Sequence, residues 1–387
     1  MSLNSPSAPI SCSDANRRKK RRAVAVATTA VAAIAGVAIS AAAAPAAKAG
    51  GEEGKSLDQL YAAAKAEGGK LVVYAGGDWA NQQDDTKTAF EKRFPGVKVT
   101  MVVDYSKYQD ARLDNQLATD TVVPDVVQLQ TLQDFPRWKD QGALMNYKPA
   151  GFGKVYDAFK DKDGAWVATG VLAFGAAYNK SLVGANPPKS VKDFADPKWK
   201  GKIASAYPND DDATLYLYSL YVKKFGWNWL AGTAKNTEFL RGSDSAGKQM
   251  TEGKKAIGLG GWVTPDAGAD PKAKTVGMLP RTDDPFVAWG QREAILKKAK
   301  HPAAAKLFLN WQLSKEVQSG GWSVRTDVAA PSGLKQVWEY KNANVDGFPK
   351  FMGDREAAER LRQQMTVYIG EVKGNPTPGY LGTHPGK

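Results

Sequence analysis

The chain has 387 residues, 43% of them hydrophobic, which is enough to bury one large core or two medium ones. A formal net charge of +13 is typical of proteins that bind nucleic acids or acidic membranes. However, residues 1–49 hold seven basic side chains and one acid, so +7 remains on the rest of the chain. These charges are spread along the sequence rather than gathered among aromatic residues, and we therefore expect no nucleic-acid partner.

Residues 1–49 have the pattern of a cleaved secretion signal. Six basic residues at 17–22 precede an Ala-rich run at 23–44, and small residues follow around Ala47 and Ala49. The run is long enough for an uncleaved membrane helix, but its alanines insert weakly into bilayers. We expect export to the periplasm or the extracellular space, with the route left open between the general and twin-arginine pathways.

Residues with catalytic or metal-binding chemistry are scarce. Cys12, the single cysteine, would leave with the signal, so the mature chain would have no disulfide, thiolate metal site or lipidated anchor. Both histidines, His301 and His384, stand beside prolines, and no nucleophile elbow, zinc motif or phosphate loop occurs. The sequence predicts a binding protein rather than an enzyme, with no cofactor and no metal site, and an exported enzyme with an unrecognised site is the alternative. We also expect a monomer.

Alternating strand and helix patterns begin after the signal. Ser56 and Gln59 have capping-box spacing before a helix at 60–67, and Gly68 stops that helix ahead of a strand at 70–74. Glycines after this strand permit a tight turn at its carboxyl end, where open α/β sheets bind ligands. The first ligand candidates are therefore Gly77, Asp78 and Trp79.

Two further strand-helix units are predicted in the same part of the chain. A helix at 84–94 leads to a strand at 97–103, and a polar helix at 108–119 leads to a strand at 124–131. The end of the last strand adds two ligand candidates, Gln130 and Thr131.

The run from Trp166 to Asn179 is apolar and β-branched without a helical stripe, which predicts a long extended segment. The strand and helix pattern starts afresh after it. A crossover between two α/β lobes explains this best, and a buried strand inside one domain is the alternative.

A strand at 202–207 leads through Pro208 into an aromatic-rich helix ending near Phe225. Its start offers three ligand candidates, Asn209, Asp210 and Asp211. Acids at a helix start commonly cap it and complement its dipole, which is the simpler interpretation. The other is that Asp210 or Asp211 meets a cationic ligand group, reinforced by Asp78.

Later candidates precede a helix or end a strand. Ser243 and Ser245 stand where hydroxyls and free amides cradle an anion, although Ser245 is equally a plain cap. Trp262 ends a glycine-rich strand that begins at Lys255. The chain then returns through 274–288, forms one helix at 302–318 and another at 356–368, and ends in a Gly/Pro-rich tail at 373–387.

Several sequence segments resemble those of the extracellular solute-binding proteins of ABC importers, in particular their ferric-ion-type branch within family 1. They are Tyr178-Asn179, Pro187-Pro188, the turn at 196–202, and the helix at 302–318 with its continuation at 322–328. The resemblance implies a type II periplasmic-binding fold, in which two α/β lobes enclose a cleft, and delivery of a small solute to an ABC permease and its ATPase. The implied division is a signal at 1–49, lobe 1 at 50–168, a hinge crossover at 169–178, lobe 2 at 179–275, a return crossover at 276–288, and a lobe 1 return with C-terminal helices on both lobes at 289–387.

The resemblance also implies where ferric-ion members hold iron, and this chain departs there. It has Trp262-Val263 near the position of their Tyr-Tyr pair, Asp78 near their His and Gln130 near their Glu. Loss of both phenolates removes the anionic oxygen donors that Fe³⁺ favours. The open ligand classes are an organic cation, an organic anion, a metal chelate and a neutral sugar.

Overall fold

The computed structural model describes residues 50–264 and 272–374, so the predicted secretion signal and most of the predicted tail lie outside it. The described chain is a mixed α/β protein with one sheet of nine strands, numbered along the chain. Eight of them follow the order β2-β1-β3-β9-β4-β7-β5-β6, and the ninth, β8, pairs with β4. Within these ranges, no helix combines the length and apolar composition that crossing a bilayer requires.

The first strand set consists of β1, β2 and β3, with β1 in the middle and all three parallel. The capping box forms as predicted, because Gln59 N donates to Ser56 Oγ and Ser56 N donates to the Gln59 side chain. The elements in chain order are α1 (Leu57–Ala66), β1 (Lys70–Gly76), α2 (Asp84–Arg93), β2 (Lys98–Asp104), α3 (Ser106–Ala118), β3 (Val126–Leu129) and α4 (Asp134–Asp140).

Two long antiparallel strands, β4 (Val167–Asn179) and β9 (Val287–Ile295), connect this set to the rest of the sheet. The far end of β9 pairs with β3, while the far end of β4 pairs with β7 (Ile257–Trp262). The predicted extended segment is thus a strand of 13 residues. It crosses from one parallel set to the other.

The second strand set is β5, β6 and β7, in which β5 pairs in parallel with both neighbours. The elements between β4 and β9 are α5 (Lys180–Val183), β5 (Ile203–Ala206), α6 (Asp212–Phe225), α7 (Trp227–Asn236), β6 (Thr237–Leu240), α8 (Ser245–Thr251), β7 and β8 (Thr275–Gly277). Each parallel set presents the carboxyl ends of its strands at one edge, as ligand-binding α/β sheets do.

The C-terminal part contains α9 (Pro302–Gln312), α10 (Lys315–Gln318), α11 (Gly347–Gly353) and α12 (Arg355–Ile369). The single helix predicted at 302–318 is wrong, because the chain breaks at Leu313 and Ser314. Ser314 takes extended backbone angles and caps α10 by accepting from Val317 N. Apolar periodicity continues across this break, so the pattern alone did not reveal it.

Separate hydrophobic clusters lie under the two strand sets. Phe90, Phe308 and Trp311 belong to the cluster beneath the first set. The Phe90 ring meets each of the other two rings edge to face. Tyr218 and Trp229 belong to the cluster beneath the second set, which also receives the apolar side chains of α11 and α12. A third cluster, which includes Phe135 and Trp138, also packs against the first strand set.

A buried polar cluster lies where the connecting strands cross. The Glu293 Oε2 of β9 accepts from Gln128 Nε2 at 2.8 Å, Thr169 Oγ1 at 2.9 Å and Gln312 Nε2 at 2.7 Å. Thr169 reaches this carboxylate because the register of β4 shifts between Ala168 and Gly170. Burial raises the pKa of Glu293 to about 7 even though the three donors act to lower it.

Glu293→Gln tests the cost of this buried charge. The folded carboxyl has a pKa of about 7 against 4.5 ordinarily, so between these values the folded state holds a proton that the unfolded state lacks. Wild-type stability should therefore rise relative to the variant as pH falls from about 8 to about 5, by up to about 3 kcal/mol. Urea unfolding of both proteins at several pH values measures this, and parallel pH profiles would contradict it.

Candidate functional site

The carboxyl ends of the two strand sets meet through a small group of polar residues. Asp78 and Trp79 follow β1 on the first side, while Ser243 and Asp244 follow β6 on the second. The Asp78 Oδ2 accepts from Ser243 Oγ at 2.8 Å and from Asp244 N at 2.7 Å, and Trp79 Nε1 donates to Asp244 Oδ2 at 2.9 Å. We call these four residues the clasp.

Gly242 allows the clasp to close. Its backbone has φ +88°, and an added Cβ would lie 3.3 Å from each of Asp78 Cγ, Ser245 Oγ and Tyr105 Oη. A side chain at 242 would therefore push against both sides of the joint and would strain the backbone as well. The predicted residue Ser245 contributes a further fixed contact, because its Oγ donates to Arg241 O at 2.7 Å.

The charge of Asp78 is disfavoured within the clasp. Burial raises its pKa to about 6, the bonds from Asp244 N and Ser243 Oγ lower it, and the charges of Asp211 and Asp244 raise it further. Gly77 precedes it in tight packing, where an added Cβ would lie 2.6 Å from Val103 Cγ1.

A second joint between the two sides is an ion-pair network around Asp210. Arg241 Nε and Nη2 donate to its two carboxylate oxygens at 2.8 and 2.9 Å, both from the second side. From the first side, Lys107 Nζ contacts the same carboxylate and donates to Asp210 O at 2.9 Å. Burial alone would raise the pKa of Asp210, but these two cations lower it below its ordinary value.

Asp211 acts as a helix cap, which agrees with the simpler interpretation of this acidic run. Its Oδ1 accepts from Thr214 N at 2.8 Å at the start of α6, and its Oδ2 accepts from Gln130 Nε2 at 3.2 Å across the joint. Burial raises the pKa of Asp211. The two predicted residues Gln130 and Asp211 are thus brought together, although they are 81 positions apart.

A groove of about 720 Å³ runs beside the clasp. The charged side chains that line it are four basic ones, Arg241, Lys248, Lys254 and Lys373, and two acidic ones, Asp78 and Glu252. The ammonium of Lys248 lies 4.8 Å from the centre of the Trp79 ring. No carboxylate of the described chain lies within 4.0 Å of this ammonium, whereas Lys254 pairs with Glu252.

Of the predicted residues, Asp78, Trp79 and Ser245 line the groove, and three others have surroundings unrelated to the clasp and the Asp210 network. Thr131 is buried, and its hydroxyl has no hydrogen-bond partner among the described residues. Asn209 donates through Nδ2 to Thr366 Oγ1 and Gly370 O, so α12 engages it. Trp262 pairs with Phe174 at the end of β7. Its exposed fraction of 52%, against 38% for Trp79, leaves both rings accessible.

Sequence reasoning missed four residues of this site: Tyr105, Lys107, Arg241 and Lys248. Tyr105 comes directly after β2, so the strand-end rule applied to Asp78 would have found it. Burial raises the pKa of Tyr105, and the charges of Asp78 and Asp210 add to this effect. The three cations carried no such signal, because lysine and arginine near a helix usually face solvent.

Within the described ranges, no group of three or more His, Cys, Asp or Glu side chains is placed to hold a metal ion.

Residues 85–343 match the family model for bacterial extracellular solute-binding protein. An uncharacterized protein of Haemophilus influenzae is 24% identical over 269 residues, which cover 66% of this chain and 75% of that protein.

Two solved structures show the same fold. Iron-bound HitA from Pseudomonas aeruginosa aligns with a TM-score of 0.58 at 20% identity, covering 76% of this chain and 99% of its own. AfuA, a periplasmic binding protein from Actinobacillus pleuropneumoniae solved with exogenous fructose-6-phosphate, aligns with a TM-score of 0.62 at 20% identity, covering 78% and 99%. The predicted two-lobed fold is confirmed, and such distant likeness says nothing of the ligand.

The Asp210 network predicts unequal costs for its two cations. Arg241→Met leaves a buried carboxylate without its paired hydrogen bonds and should lower the free energy of unfolding by about 3 kcal/mol. Lys107→Met should cost about 1 kcal/mol or less, because the Lys107 side chain is 36% exposed against 17% for Arg241. Urea unfolding of both variants gives the comparison, and equal losses would show that Arg241 does not dominate the network.

Proposed function

This chain belongs to the bacterial extracellular solute-binding proteins, and on that premise we propose that its ligand is a small organic anion bound in the groove beside the clasp. Proteins of this family bind solutes for transport and are not enzymes, and they deliver the solute to an ABC permease. The lobes are the halves built on the first and second strand sets. The specific permease and its ATPase, a monomeric state and export by a cleaved signal are parts of the same proposal.

The observation that carries the anion proposal is the charge of the groove. Basic side chains outnumber acids by four to two on its walls, and Lys248 has no carboxylate partner within the described chain. Lys248 and the Trp79 face together offer a charge for an anionic group and an apolar surface for the carbon skeleton. A small anion placed there would be attracted by the excess positive charge.

An organic cation fits the same residues less well. The carboxylates once expected to meet it are engaged within the protein: Asp78 in the clasp, Asp210 with two cations, and Asp211 at the start of α6. A cation would have to displace these partners and approach Lys248 as well, which costs free energy through lost bonds and repulsion.

The ligands named for the two structural neighbours belong to different chemical classes. HitA is described as iron-bound and AfuA as holding fructose-6-phosphate, so the fold accommodates both a metal and a phosphorylated sugar. Direct Fe³⁺ binding would need anionic oxygen donors, and Trp262-Val263 supplies none. A negatively charged metal chelate belongs to the proposed class of organic anions.

The anion proposal is tested by calorimetric titration with fructose 6-phosphate, citrate, ferric citrate, putrescine and glucose. We expect binding by at least one anion and none by putrescine. Lys248→Gln should weaken that binding by about tenfold or more, the loss of one charge-assisted contact. Lys92→Gln removes an exposed lysine of α2 outside the groove and should leave affinity unchanged. Preferred binding of putrescine or glucose would overturn the proposal.

The two accessible tryptophans give a second prediction. Because the Trp79 ring lines the groove, Trp79→Ala should weaken anion binding by roughly 2 to 4 kcal/mol, whereas Trp262→Ala, outside that lining, should leave affinity unchanged. The loss in Trp79→Ala corresponds to about 30-fold to 1,000-fold in affinity. Unfolding midpoints measured alongside separate a binding role from a packing role. Unchanged affinity in a less stable Trp79→Ala variant would remove Trp79 from the site.

Processing of the exported chain gives a third prediction. Secreted material should begin at or near Gly50, because the small residues before it form a cleavage site after the Ala-rich run. Mass spectrometry of exported protein measures its first residue. An intact basic stretch at 17–22 would contradict cleavage and support an uncleaved membrane helix.

A further inference from the structure

We propose that Asp78 is a positioning residue of the solute site: its carboxylate joins the lobes across the groove and holds the closed conformation. The lobes and the groove are those of the proposed function, so this inference rests on it. The carboxylate acts through closure, and the solute contacts the neighbouring groove surface.

The hydrogen bonds of the clasp can exist only when the two lobes meet. Ser243 Oγ and Asp244 N belong to the second lobe, 165 and 166 positions from Asp78. Both donate to the same oxygen, Asp78 Oδ2, at 2.8 and 2.7 Å. Opening the groove would separate the donors from this acceptor and return all three groups to water, so the two bonds contribute to the equilibrium between open and closed conformations.

Asp78 lies at the point where one groove wall contacts the other lobe. Asp78 is 9% exposed, and its Cγ lies within 3.3 Å of a Cβ position at Gly242. Trp79, the next residue, faces the groove under the Lys248 ammonium and donates to Asp244. The clasp therefore fixes one wall of the groove at the place where the other lobe contacts it.

Closure also changes the electrostatic surroundings of Asp78. The acids Asp211 and Asp244 face it from the second lobe, and the Tyr105 hydroxyl lies beside it on the first. The Arg241 guanidinium, which lines the same groove, is bound bidentately by Asp210. Burial among these groups raises the pKa of Asp78 from 3.8 to about 6, whereas an open groove would return the carboxyl toward its ordinary value.

The sign of the resulting pH dependence follows from this difference. Between pH 4 and 6 the closed conformation holds a proton on Asp78 that the open conformation lacks. Closure is therefore favoured as pH falls, and the closing equilibrium constant should increase by about tenfold between pH 7 and pH 5.

The test measures closure directly by energy transfer between two fluorophores. Because Cys12 is the single cysteine, the full chain with Cys12→Ser can carry labels at Lys92→Cys on α2 and Lys235→Cys on α7, both exposed positions of different lobes. The transfer efficiency is measured from pH 7 to pH 5 in this background and in three variants, Asp78→Ala, Asp78→Asn and Ser243→Ala.

Each variant has a distinct expected result. Asp78→Ala loses both bonds and should shift the population toward the open conformation at every pH, and Ser243→Ala should shift it less. Asp78→Asn keeps an oxygen that accepts both bonds and carries no charge, so it should remain closed and lose the pH dependence. A closed population unaltered in Asp78→Ala, or a pH dependence retained in Asp78→Asn, would overturn the proposal.

This measurement separates the clasp from the proposed ligand. Energy transfer requires no solute, so a pH-dependent closure that disappears in Asp78→Asn supports the clasp even if no organic anion binds in calorimetry. Conversely, anion binding sensitive to Lys248→Gln with unaltered closure in Asp78→Ala would retain the proposed function and reject the clasp.

Discussion

The contact between the Asp78 carboxylate and the Ser243–Asp244 segment is the constraint on which the arrangement of the site depends. It joins residues after the first strand of one lobe to residues after an outer strand of the other. Around it, Gln130 meets Asp211 and Lys107 meets Asp210, so these two further contacts also pair opposite lobes. The relative position of the two groove walls follows from these contacts.

The proposed anion selectivity of the groove depends on positive charges that the joint leaves unpaired. The acids near the joint are engaged by internal donors, whereas Lys248 lies over Trp79 with no carboxylate partner in the described chain. Because these acids are hydrogen-bonded or ion-paired within the protein, a positively charged surface remains beside the aromatic face. Under the proposed function, this division of roles lets a cleft that contains many acids favour an anion.

Much of the fold could be predicted from the sequence because its signals are local. The capping box at Ser56, the glycines after β1 and the long apolar run of β4 each specify their element without reference to distant residues. The break between α9 and α10 was missed, because apolar periodicity persists through Leu313 while Ser314 ends the helix and caps the next.

The site was predictable only in part. Asp78 and Trp79 were selected by the rule that ligands bind at the carboxyl ends of strands, and Ser243 was selected as part of an anion-binding helix start. Their partners were not predictable, since Asp78 was expected to meet a ligand and instead accepts from the opposite lobe. Which acid is neutralised by Lys107 or Arg241 depends on tertiary pairing over long sequence separations, and no local pattern records that pairing.

The central claim is that both lobes hold one anionic solute at this joint. Hydrogen–deuterium exchange of the full chain, saturated with the organic anion that binds most tightly in calorimetry and with glucose as the neutral control, tests it most directly. We expect slower exchange with the anion in residues 77–79 and 241–248 together, and no change with glucose. Protection confined to one of these segments, or equal protection by glucose, would contradict it.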